Sequence, residues 1–112
     1  MEIQRKIYKP DELTPYEPTH PGEILKDELA ARNLTQKKFA DMIGMQYTIL
    51  NEIVNGKRPI STDCAIILEA ALGIEALFWI DLQTRYNIQK ARKDVKLSAR
   101  IQKIRRICAS VL

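Results

Sequence analysis

The stretch from Thr35 to Gly56 leaves few folds open to this chain. It reads Thr35-Gln36-Lys37-Lys38-Phe39-Ala40-Asp41-Met42-Ile43-Gly44-Met45-Gln46-Tyr47-Thr48-Ile49-Leu50-Asn51-Glu52-Ile53 before Val54-Asn55-Gly56. Thr35 suits a helix N-cap, where its hydroxyl accepts from an otherwise unpartnered backbone N–H. Phe39, Ala40 and Ile43 give that helix a buried stripe, and Gly44 ends it, because glycine enters left-handed backbone without a Cβ penalty. Ala40 is small where two helices must cross closely. Ile49, Leu50 and Ile53 form the apolar face of a second helix, from about Gln46 to Asn55, which Asn55-Gly56 stops. This is the pattern of a helix-turn-helix.

With that face buried, the opposite face of the second helix shows Gln46, Tyr47, Thr48, Asn51 and Glu52. Such side chains reach base edges in a DNA major groove. Gln36 and Lys37 at the start of the first helix, with Lys57 and Arg58 in the loop after the second, would flank the groove and hold phosphates. An ordinary helical hairpin also carries alanine and glycine at its junction. The surrounding pattern favours the DNA reading: one helix before, two after, and a basic loop placed where the recognition helix ends.

The flanking segments predict an all-α fold. Pro21 suits a first helical position and Glu23 the positive helix end, with Ile24, Leu25 and Leu29 as the apolar face. Ser61 caps a fourth helix, supported by Asp63, with Ala65, Ile66, Leu68 and Leu72 as its face and Gly73 as its stop. A fifth helix, from about Glu75 to Lys93, carries Phe78, Trp79, Leu82 and Tyr86. The chain closes on Leu97, Ile101, Ile104, Cys108 and Val111, spaced as an amphipathic seam. The expected organisation is an extended arm over 1–18, containing Pro10, Pro15 and Pro18, then a five-helix domain over 19–93 and a basic amphipathic helix over 94–112. The arm has Ile3, Ile7, Tyr8, Leu13 and Tyr16 without sustained periodicity, as expected of a segment that orders on a partner.

Charge is distributed unevenly. Arg85, Lys90, Arg92, Lys93, Lys96, Arg100, Lys103, Arg105 and Arg106 face Asp94 alone in the C-terminal stretch, so the preceding part of the chain is net acidic although the whole carries +4. A basic segment suits a polyanion, and equally a solvated helix face. Glu23, Asp27 and Glu28, with Lys26 among them, read as a solvated face, and less readily as an acidic patch for a basic partner. No apolar run has signal-peptide or membrane-span character, so a cytoplasmic protein is expected. Cys64 and Cys108 read as reduced packing residues.

The pattern resembles a known family. Thr19-His20-Pro21-Gly22-Glu23-Ile24-Leu25, the helix-turn-helix, Asn55-Gly56-Lys57-Arg58-Pro59-Ile60 and Phe78-Trp79-Ile80-Asp81-Leu82-Gln83-Thr84-Arg85-Tyr86 are similar to the HigA-type antitoxins of bacterial toxin-antitoxin modules, within the Cro and phage-repressor-like class. The resemblance implies a homodimer that binds a HigB-like mRNA-cleaving ribonuclease toxin and represses the operon encoding both proteins by binding its operator DNA. It departs at Gln46-Tyr47, where the family usually has serine and a long polar residue, so the operator sequence does not carry over. The alternative is a stand-alone repressor of the same fold without a toxin partner.

Trp79, Leu82 and Tyr86 read as core residues that also form a dimer interface. His20, the only histidine, precedes a helix-starting proline and reads as a cap or surface residue. No zinc-binding motif, phosphate-cradling glycine loop or nucleophile with a histidine base is present. No enzyme, catalytic residue, metal or cofactor is expected.

Overall fold

A computed structural model describes residues 19–111. The expected arm over 1–18 lies outside the described residues. Within them the chain is all-helical, with six helices: α1 (Pro21–Ala31), α2 (Gln36–Ile43), α3 (Tyr47–Val54), α4 (Thr62–Leu72), α5 (Ala76–Arg92) and α6 (Val95–Ala109).

Local chemistry sets the boundaries. The Thr35 hydroxyl accepts from Lys38 N, the Ser61 hydroxyl from Cys64 N, and the Asp94 carboxylate from Leu97 N, so α2, α4 and α6 each begin on a side-chain cap. Gly44 ends α2 at φ 67° and Gly73 ends α4 at φ 74°, both in left-handed backbone that disfavours other residues.

The core gathers one stripe from each of α1 to α5. Leu25, Phe39, Leu50, Ala65, Leu68 and Trp79 are completely enclosed. Helix α3 packs on α1 and α2, and α5 packs on α1 and α4. Two polar ties close the bundle. Arg32 donates to the Glu28 carboxylate at 3.0 Å and to the Leu72 carbonyl at 2.8 Å, joining the ends of α1 and α4. The Gln83 side chain accepts from Ile60 N at 2.8 Å, holding the loop after α3 against α5.

Three expectations are corrected. Ile66 is exposed, because it lies one step off the i, i+3, i+7 row of Ala65, Leu68 and Leu72 that turns inward. Cys108 is exposed, since α6 packs mainly on α5 and buries none of its side chains; Cys64 alone is a packing cysteine. Glu28 is buried against Arg32 and therefore belongs to no solvated acidic face.

Candidate nucleic-acid interface

Helix α3 is held as a rigid, outward-facing rod. Ala40, 1% exposed, gives the close crossing with α2, and Met45 N donates to the Ala40 carbonyl across the turn. Leu50, Ile53 and Val54 are buried beneath it. On its other side Gly22 lies so near the α3 C-terminus that a Cβ there would collide with the Ile53 carbonyl. His20 supports that approach. Its Nδ1 accepts from Gly22 N at 2.8 Å, its ring meets the Tyr86 ring edge-on at 4.7 Å, and it lies against Gly56. Burial pushes the His20 pKa below its usual value. The ring is the buried form of the expected cap.

The outward face of α3 carries the expected readers. Gln46, Tyr47 and Thr48 are exposed, and Asn51 and Glu52 are half-buried. Tyr47 stands 49% exposed. Asn51 is part of a chain of amides: its Nδ2 donates to Gln36 Oε1 at 2.9 Å, while Asn55 Nδ2 donates to Asn51 Oδ1 at 3.1 Å. Glu52 accepts from Arg58 Nε at 2.8 Å, so a residue expected to read bases and one expected to hold phosphate neutralise each other in the free protein.

The loop after α3 is fixed by its backbone. Gly56 adopts φ 76° and Lys57 N donates to the Glu52 carbonyl at 2.8 Å, leaving the Lys57 side chain exposed beside the α3 terminus. Lys37 is exposed at the start of α2, and Gln36 is half-buried against Asn51. Gln36 and Arg58 thus meet two of the expected readers, Asn51 and Glu52, directly.

The residues expected at a dimer interface separate. Trp79 is completely enclosed within its own chain and presents no surface to a partner, which corrects its assignment to an interface. Leu82 and Tyr86 are half-buried. Sequence reasoning missed the tie made by Gln83, and gave Asn55 as a helix stop in the basic loop without its bond to Asn51. Gln83 follows Trp79 by four residues on the buried face of α5, a polar residue where periodicity calls for an apolar one, and that was its signal. Among the described residues no three histidine, cysteine or acidic side chains gather as a metal site, and no helix is long and apolar enough to cross a membrane.

A helix-turn-helix family profile matches residues 25–79. Virulence-associated protein I of Dichelobacter nodosus is 36% identical over 76 residues, covering 67% of this chain and 70% of that protein. An addiction module antidote protein of the HigA family from Coxiella burnetii has a similar structure, with TM-score 0.71 and 34% identity, covering 79% of this chain and 95% of that one. The Pseudomonas aeruginosa antitoxin HigA, solved with the higBA promoter, has TM-score 0.67 and 34% identity, covering 78% of this chain and 90% of its own.

Proposed function

The chain belongs to the HigA-type antitoxins, a non-enzymatic DNA-binding group within the Cro and phage-repressor-like helix-turn-helix class, and from that membership we propose that it represses its own operon and neutralises a HigB-like mRNA-cleaving toxin. The observation carrying the DNA half is the exposure of α3 beside its basic loop. Tyr47 and Thr48 are exposed and Asn51 half-buried on a helix packed against α1 and α2, next to exposed Lys57. Base edges meet the first three, with Gln46 and Glu52 beside them, while Lys37, Lys57 and Arg58 hold phosphates. The protein acts as a homodimer in the cytoplasm, with residues 19–93 as the DNA-binding unit and 94–112 as a basic helix appended to it. Residues 1–18, with α1, contribute to toxin binding.

Co-expression tests both halves. The chain is produced with the product of the neighbouring reading frame in cells carrying a reporter driven by their common promoter. Rescue of growth, co-purification of the two proteins and a silenced reporter are expected. A silenced reporter without rescue or co-purification makes the protein a stand-alone repressor. A truncated chain starting at Thr19 that still rescues fully removes the arm from toxin binding.

A further inference from the structure

Helix α5 carries the basic end of the chain past the loop that leaves α3. Tyr86, on α5, meets the His20 ring edge-on at 4.7 Å, and His20 lies against Gly56, the residue before Lys57. One turn further along α5, exposed Lys90 sets its Nζ 5.6 Å from the centre of the Tyr86 ring. It is close enough to His20 for its charge to add to the lowering of the His20 pKa that burial causes. Beyond it comes α6, in which Lys96, Arg100 and Lys103 are spaced four and three and so lie in one row. Each precedes a residue of the apolar seam, Leu97, Ile101 or Ile104, by one position, which sets the row about 100° round the helix from the seam. A cover on the seam leaves the row in solvent.

Solvated helix faces mix signs, because like charges three or four residues apart repel and opposite ones attract. Here the mixing is missing. The three cations of the row are exposed, and among the described residues none of them is in an ion pair. The one acidic residue after Arg85, Asp94, is turned to the Leu97 N–H at 2.9 Å as the cap of α6. A row of cations left unneutralised, joined through Lys90 to the neighbourhood of the loop carrying Lys57 and Arg58, has the chemistry for a run of phosphates. Each cation that meets a phosphate releases condensed counterions.

We propose that Lys90 and the row Lys96, Arg100 and Lys103 form a second DNA contact, which holds the phosphates of duplex flanking the bases that α3 meets and is indifferent to their sequence. The proposal rests on the reading of α3 and its loop as the DNA-binding element. It gives the basic helix a share in affinity and none in selectivity.

The full chain, as wild type and as Lys96→Gln/Arg100→Gln/Lys103→Gln, is titrated onto two duplexes at about 50 and 200 mM salt. One ends at the sequence that wild type selects from a randomised pool; the other is extended at each end by about one helical turn of arbitrary sequence. Wild type is expected to bind the extended duplex more tightly and with the steeper salt dependence. The triple variant binds the two lengths alike and keeps its preference for the selected sequence. Its salt slope on the extended duplex falls by about 2.7 per chain, a roughly 40-fold smaller loss of affinity over that salt range. Lys90→Gln lowers the slope by about one. Amine-reactive labelling needs no variant: Lys96 and Lys103 are protected by the extended duplex and stay reactive on the short one. Light scattering and melting accompany the titrations, and if the triple variant departs from wild type in either, the labelling decides. Equal affinity and slope of wild type on both lengths, or a triple variant that keeps the length dependence, overturns the proposal, while the selected sequence leaves α3 as the reader. Loss of sequence preference in the triple variant overturns it too, because the row would then act on the bases. No sequence enriched by wild type overturns the reading of α3 and the proposal with it.

Discussion

At the end of the recognition helix, Glu52 and Arg58 form a pair with side chains 39% and 46% exposed, and a pair so open to water adds at most about 1 kcal/mol to stability. Its effect on DNA is larger, because the Glu52 carboxylate both occupies the guanidinium and repels phosphate. Glu52→Gln is expected to tighten binding to any duplex and to steepen the salt dependence by about one phosphate contact, with little change in melting. Titrations at two salt concentrations on operator and random DNA measure this; an unchanged slope contradicts it. His20 gives a pH signature. Its folded-state pKa lies below 6.5 through burial, with Lys90 on α5 adding to the shift and Glu23 on α1 opposing it. The unfolded chain therefore takes up the proton first on acidification. Stability from the neutral cap is complete above pH 6.5 and declines as pH falls below it. Denaturation midpoints between pH 7.5 and 5.5 should fall in wild type and fall less in His20→Asn, which retains a capping acceptor without titrating there. Parallel curves would exclude His20 as the source. These buried polar residues were the least legible in the sequence: His20, Glu28 and Gln83 are satisfied by Gly22, Arg32 and Ile60, and hydropathy patterning marks only the apolar side of such a fit.

The helices were far more legible. α1, α2 and α4 each carry their own start or stop in single residues, Pro21, Thr35, Gly44, Ser61 and Gly73, whose effect is local and survives without tertiary context. Partners are a different matter, since periodicity says which face is apolar and not what covers it. The seam along α6 and the turn after it shows this: Leu97 is 37% exposed, Ile104 46% and Val111 77%. A second copy is the expected cover, joining through the C-terminal helices with Leu82 and Tyr86 nearby. Light scattering in physiological salt should give a dimer for wild type and a monomer for Ile104→Glu, which places a charge in the seam. A wild-type monomer at tens of micromolar, roughly the upper range for weak dimers, contradicts this.

Over the described residues the molecule is drawn out, 57 × 29 × 22 Å, with a radius of gyration of 17.3 Å where a compact chain of that length would have about 12 Å. The core closes within α1 to α5, and α6 adds length without adding core, since among the described residues none of its side chains is buried. Three of the other core helices hold α3: α1 against its C-terminus through Gly22, α2 beneath it through Ala40, and α5 against its exit loop through Gln83. The central claim is that this clamped helix reads sequence while its loop supplies general attraction. It is tested by the affinities of Thr48→Ala, Asn51→Ala and Lys57→Ala for a duplex selected by wild type and for random DNA, alongside their melting curves. Thr48→Ala and Asn51→Ala should each lose about 1 to 3 kcal/mol on the selected duplex and nothing on random DNA, whereas Lys57→Ala weakens both alike and lowers the salt slope by about one. Equal losses on both duplexes for Thr48→Ala and Asn51→Ala, in proteins that melt like wild type, would contradict the assignment of α3 as the reader.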